Sequence, residues 1–234
     1  MNMANRKTSA SSRNQANDLE QAVESLRLDI QQGRFVPGQR LIEADLMEHL
    51  QVTRGRVREV FKRLEAEDLI QIDKNRGASV RKVTREEVQE IAEVLEDISI
   101  LMIKKAAKRI DQNGNRGKLE GSLAAAQKFR NSAPSIMKVQ AFMDENARFW
   151  GSLAAISGNP VLSEIRLRLQ ARLFRLAMEG LTVNANRDKW ITDHEEIISS
   201  LLDGQVGQAV RNAEESMSDV WEAILSLPDR AFGK

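Results

Sequence analysis

The chain is 234 residues long, which leaves room for two domains that each bury a core. It has no Cys and no Tyr, so no disulfide framework exists, and no apolar run approaches the ~20 residues that span a membrane. The net charge is only +1, but residues 1–83 hold 15 Lys and Arg against 12 Asp and Glu, and the remainder is net negative. These features predict a soluble, mostly helical, cytoplasmic protein with no membrane association.

Residues 1–16 are polar and rich in Ser, Asn and Arg, without an apolar stretch. They are expected to form a flexible arm rather than a signal peptide, with Arg6, Lys7 and Arg13 in a disordered tail. Asn17 or Asp18 can cap a first helix whose Leu19, Val23, Leu26 and Ile30 share one stripe. Gly33 ends it, and Phe35-Val36-Pro37-Gly38 reads as a turn. A second short helix runs from Glu43 to Leu50, with Leu46, Met47 and Leu50 on one face.

After Gln51-Val52, Thr53 is placed as the N-cap of a third helix with two faces. Val57, Val60, Phe61 and Leu64 fall at i, i+3, i+4 and i+7 and must pack on something. Arg54, Arg58 and Lys62 fall at i, i+4 and i+8 on the other side, flanked by Arg56 and Arg63, and Glu59 is the only acid in the run. Such a helix suits phosphates and guanine edges in a DNA major groove. A basic stripe alone is more often a solvated face, so its surroundings decide. Leu69 to Ile72 reads as a strand, Asp73 to Gly77 as a turn, and Ala78 to Val83 as the returning strand. Three helices followed by a hairpin make a winged helix-turn-helix over residues 17–83. The candidate DNA contacts are Thr53, Arg54, Arg56, Arg58 and Lys62 on the helix, and Lys74, Arg76 and Gly77 on the wing.

Three stretches carry a resemblance: Gly33 with Pro37-Gly38-Gln39-Arg40-Leu41, Val52-Thr53-Arg54 with Val57-Arg58-Glu59-Val60, and Asn75-Arg76-Gly77-Ala78. Together they resemble the GntR-type bacterial transcription regulators. The resemblance implies that Thr53, Arg54 and Arg58 touch DNA. Two positions depart from it: Gly55-Arg56 stands where most relatives of this branch carry Thr-Pro, and Asp68 replaces the usual helix-ending Gly. Asp tolerates the left-handed conformation better than most residues.

Beyond residue 83 the pattern is helical throughout. Thr84-Arg85-Glu86-Glu87 is a capping box that opens a long helix along Val88, Ile91, Leu95, Ile98 and Met102. Asn113 to Gly117 breaks the pattern, and a second helix runs to about Arg130. Pro134 starts a third with Val139, Phe142, Met143, Trp150 and Leu153 inward. Gly158-Asn159-Pro160 is a stop and restart, and a fourth helix runs to about Gly180. A fifth covers roughly Arg187 to Leu202 and a sixth about Gln205 to Leu227, with residues 229–234 as a tail. Six helices with short connections predict an antiparallel helical bundle over 84–228, so the fold class is mainly α.

Phe149 with Leu153, Gly158-Asn159-Pro160-Val161-Leu162, Asp193-His194-Glu195 with Ile198, and Leu202-Asp203-Gly204 with Ala209 resemble the effector-binding domain of the FadR-like branch. Many members hold a divalent metal there through an Asp and three His, and the metal can engage a carboxylate effector. Those positions fall here on Asn146, Trp150, His194 and Ser216, so one ligand of four survives. The metal site is read as lost, leaving no cofactor. The four positions lie on inward faces and line either an effector pocket or an internal hydrogen-bond network around one histidine.

No enzyme is expected. Glu195-Glu196 beside His194 are read as charges facing water, no Gly-rich phosphate loop appears, and His49 and His194 fall in different domains. The resemblance implies a homodimer on a palindromic double-stranded operator, with a small-molecule effector changing DNA affinity. Val94, Ser99, Ile100, Leu101 and Ile103 lie off the main stripe of their helix and are candidates to face a second subunit. Two rivals remain. One is a helical interaction module whose basic helix binds an acidic protein. The other is a metal-sensing regulator using Asp144 or Glu145, which does not lie on the Asn146/Trp150 face.

Overall fold

The computed structural model describes residues 4–132, 139–183 and 187–233. Its contacts divide the chain into two compact units that meet between Lys82 and Val83.

In the first unit, α1 (Ala4–Gln31) and α2 (Glu43–His49) pack on α3 (Arg54–Ala66), which packs on a small sheet of β1 (Arg40–Leu41), β2 (Ile70–Asp73) and β3 (Gly77–Val80). The helix already runs from Ala4, so Asn17 and Asp18 do not cap it and residues 4–16 are backbone-helical rather than an arm. The side chains of Arg6, Lys7 and Arg13 lie outside the described residues. Val23, Leu26, Leu46, Val57, Val60, Phe61 and Leu64 fill the core, which is the stripe their helical spacing requires. The sheet is antiparallel in the order β1-β3-β2. The pair Arg40-Leu41, just beyond the turn read at Phe35 to Gly38, adds an edge strand opposite Ser79 and Ala78. At the helix-turn-helix corner Gln51 adopts φ +53°, and Asp68 ends α3 at φ +58° in the left-handed conformation that the replaced Gly would have favoured.

The second unit is a bundle of α4 (Arg85–Ala107), α5 (Asn115–Ser132), α6 (Val139–Ser157), α7 (Pro160–Val183), α8 (Arg187–Leu202) and α9 (Val206–Leu225). Thr84 and Glu87 form the reciprocal capping box at the start of α4. Gly158 at φ +63° separates α6 from α7, and Pro160 is the first residue of α7. The restart at Pro134 and the side chains of Val139 and Met143 lie outside the described residues.

Two differences from the sequence pattern matter. Ser99 and Ile103 are fully buried within the bundle, so neither is available to a second subunit. Residues 229–233 do not hang free: a short 3-10 turn (Asp229–Ala231) leads to Phe232, which is 4% exposed under the guanidinium of Arg85. Arg85 also donates to the carbonyls of Leu225 and Leu227 at the end of α9, where the last carbonyls of a helix have no intrahelical donor.

Candidate functional site

The first candidate surface is built on α3. The Thr53 hydroxyl accepts from the amide of Arg56 at 3.4 Å and fixes the start of the helix. With Val57, Val60, Phe61 and Leu64 buried, the opposite face carries Arg54 and Arg58 outward, their side chains 62% and 63% exposed. Lys62 is exposed on the same side, and Lys74, Arg76 and Gly77 are exposed at the β2–β3 turn, where Gly77 takes φ +78°. Arg56 stands apart, because its guanidinium folds back on Glu59 at 2.6 Å. Arg63 turns toward α1, 3.3 Å from Glu20.

Sequence reasoning missed Glu43. It opens α2 and sits between the two outward arginines: Arg58 Nε donates to Glu43 Oε1 at 2.8 Å, and Arg54 lies 3.4 Å from Oε2. The bond from Arg58 holds the Glu43 carboxyl below its ordinary range. Fifteen residues separate Glu43 from Arg58 in sequence, so only the helix-turn-helix geometry reveals the pairing. His49 has a structural role, with Nε2 at 2.5 Å from the buried Asp29 carboxylate of α1.

The second candidate lies inside the bundle, where Asn146, Trp150, His194 and Ser216 all border one cavity of about 70 Å³. His194 is 2% exposed, stacked at 3.8 Å on Phe149 and tilted against Trp190. Burial pushes its pKa down to about 4; Glu145 opposes this, while Arg148 and Arg166 add to it. The imidazole is therefore neutral at pH 7. Ser216 hydrogen-bonds Asp193, whose carboxylate also accepts from Lys189.

Glu145, which the sequence set off the Asn146/Trp150 face, is nonetheless buried. It is 4% exposed, pairs with Arg148, and brings Oε1 to 3.7 Å from His194 Nδ1. The buried arc of α6 is wide, taking in Phe142, Glu145, Asn146, Phe149 and Trp150 together. Glu195, expected in water, is also buried, 3.3 Å from Arg130, whereas Glu196 is exposed.

The residues present do not fit the metal that the fold family uses. The four positions supply one imidazole, one amide, one indole and one hydroxyl, and the Arg166 guanidinium lies 3.5 Å over the Trp150 ring. A divalent cation would meet that positive charge with no nearby carboxylate among these four. Among the described residues no cluster of three His, Asp or Glu groups has metal-binding spacing.

Residues 19–80 match the model described as bacterial regulatory proteins, gntR family, and residues 90–219 match the FCD domain, which alone covers over half of the chain. The chain belongs to the GntR family of transcription regulators, with an FCD effector domain. These families are regulators and not enzymes. A relative of this GntR protein, the Uxu operon regulator of Haemophilus influenzae, is 24% identical over 88% of this chain and 79% of its own length. Among solved structures, a putative GntR transcriptional regulator from Rhodococcus sp. RHA1 superposes with a TM-score of 0.73 at 21% identity, covering 90% of this chain and 98% of that one. The E. coli McbR/YncC structure gives 0.69 at 19% identity over 86% and 93%. At these identities the structures establish the shared fold. No helix among the described residues is long and apolar enough to cross a membrane.

Proposed function

We propose that this GntR regulator works in the cytoplasm as a homodimer that docks its two α3 helices in the major grooves of a palindromic operator. The observation that carries the reading is the pair Arg54 and Arg58, held outward on a helix that buries its other face and starts at a Thr53 cap. Thr53, Arg54 and Arg58 meet the operator first; Lys62 adds a phosphate contact further along the helix. Lys74, Arg76 and Gly77 bring the wing to the adjacent backbone or minor groove. Arg56, paired to Glu59, is a secondary contact released on docking.

The bundle acts as the sensor. A small molecule in the cavity bordered by Asn146, Trp150, His194 and Ser216 changes DNA affinity, provided it binds the two DNA-affinity states unequally. Metal sensing is not favoured, because a single imidazole and the Arg166 charge oppose a divalent ion.

The test is the double variant Arg54→Ala, Arg58→Ala. Operator binding is expected to fall at least about 100-fold, since each lost contact to a base or phosphate costs roughly tenfold, while circular dichroism stays native. The wild type should also show a linear fall of log K with log salt, as phosphate contacts require. Retained operator binding in the folded variant would overturn the reading, and a salt-independent partner would point instead to protein–protein recognition.

A further inference from the structure

The arginines on α3 already hold acids. Arg54 and Arg58 share Glu43, Arg56 takes Glu59, and Arg63 reaches Glu20. Arg40 and Lys62 differ: both are exposed, and neither is in an ion pair among the described residues. A cation beside a carboxylate must give up that attraction before it meets a phosphate, and a cation without one need not.

The backbone under Arg40 is held on both sides. Arg40 and Leu41 pair with Ser79 and Ala78 of β3. Before them, the Gly38 amide donates to the Val80 carbonyl at 2.8 Å, and the Val80 amide donates to the Gln39 carbonyl at 2.9 Å. Leu41, 3% exposed, anchors β1 in the core, so Arg40 stands on the opposite face of the strand. Its guanidinium reaches toward the β2–β3 turn, with Nη2 3.9 Å from the point where a Cβ on Gly77 would stand. A charge carried on a paired strand has less freedom to lose on binding than one on a loop.

Arg40, Arg58 and Lys62 border one open groove of about 600 Å³ between α3 and the sheet. At ~30 Å³ per water, that is far more room than a lone ion needs, and it suits an extended chain. Ile42 and Ile72, 52% and 40% exposed, border the same groove. Cations and apolar side chains together match a sugar–phosphate strand, in which charged phosphates are joined by less polar sugars. We infer that this groove seats one strand of the DNA backbone, its phosphates on Arg40 and Lys62 and its deoxyribose against Ile42 and Ile72. This rests on the reading of α3 as the recognition helix. It adds Arg40, a contact outside both that helix and the wing turn, which supplies affinity and register without reading sequence.

Fluorescence anisotropy of the full-length protein over a range of salt tests this on two duplexes, one of mixed sequence and one selected by the wild type from a random pool. Arg40→Gln should weaken both by a similar factor, roughly three- to tenfold, and reduce the slope of log K against log salt by about one. Arg40→Lys restores the charge and should restore the slope. In the wild type, the mixed-sequence duplex should slow phenylglyoxal modification of Arg40, read by mass spectrometry, which needs no variant to fold. Unslowed modification, or an unchanged slope in folded Arg40→Gln, would overturn the backbone contact. A loss confined to the selected duplex would make Arg40 a base reader and overturn it too. Arg54→Ala, Arg58→Ala measured alongside separates the two readings. A double variant that keeps its preference for the selected duplex removes the recognition-helix reading, while the Arg40→Gln slope still decides the Arg40 contact.

Discussion

On the proposed reading, Glu43 sets how freely α3 can meet phosphate. It holds Arg58 through a 2.8 Å hydrogen bond and Arg54 at 3.4 Å, so both arginines must exchange a carboxylate for the operator on docking. Glu43→Gln removes that competitor and one repulsive charge from the interface. Affinity for the operator and for unrelated DNA should both rise, by roughly two- to tenfold at low salt, with the gain shrinking as salt screens it. Electrophoretic mobility shifts at several salt concentrations would measure it. A loss of affinity would mean instead that Glu43 orients the two arginines. His194 makes an opposite kind of demand inside the bundle. Burial lowers its pKa from 6.5 to about 4, so the unfolded chain binds the extra proton first and stability falls as pH drops from 6.5 toward 4. Glu145, also lowered, adds its own loss only below its ordinary value of 4.5. Between pH 7 and pH 5 the histidine therefore accounts for about 2 kcal/mol, which His194→Gln should remove. Trp150, Trp190 and Trp221 are the only tryptophans and all lie in the bundle, so urea unfolding by fluorescence reads this unit alone. Equal pH dependence in wild type and variant would sink the assignment.

Helix α7 owes its fit to a residue with no side chain. A Cβ on Gly180 would stand 2.6 Å from the carbonyl oxygen of Ala223 in α9, and backbone cannot swing aside as a side chain can. Gly180→Ala should destabilise the bundle by about 1–3 kcal/mol by overpacking, although Ala is favoured in a helix interior by about 1 kcal/mol. Unchanged or increased stability in urea would show that the two helices separate at little cost. This close approach illustrates where the sequence is legible and where it is not. Caps and breaks are local, so Thr53, the Thr84–Glu87 box and Gly158-Asn159-Pro160 placed the helix boundaries of both units. The winged helix-turn-helix and the bundle were legible for the same reason, together with apolar spacing. Strand β1 was not, because two residues carry no periodicity and their pairing depends on β3, almost forty residues later. The burial of Glu145 was not legible because a helix enclosed by neighbours buries a wider arc than one stripe suggests. Arg166 did leave a trace: it stands four residues after Leu162 and seven before Leu173, both buried, at helical spacing. What spacing alone cannot supply is that, among the described residues, its hydrogen-bond partners are the neutral Ser99 and Gln170.

On our proposed reading the molecule binds as a dimer through a surface of the bundle. Val94 and Leu101 on α4 are 45% and 43% exposed, and Val161 and Ile165 on α7 are 58% and 41% exposed. Each pair sits at helical spacing, so each makes an outward apolar stripe on a helix whose other faces are already packed. Monomers seldom leave such stripes in water, and a second copy of the bundle would cover them. Dimerisation then does more than bury area. Two recognition helices joined in one particle bind both half-sites of a palindrome, and the second contact forms at a high effective concentration. The double variant Leu101→Glu, Ile165→Glu places charge on both exposed stripes of the proposed interface while leaving the buried faces untouched. Sedimentation should show monomers. Affinity for the full operator should fall by roughly 100- to 10,000-fold, while affinity for an isolated half-site stays near that of the wild-type unit. A variant that remains dimeric would place the interface on another face of the bundle. A monomer that still held the full palindrome as tightly as wild type would show that the two half-sites are not read together.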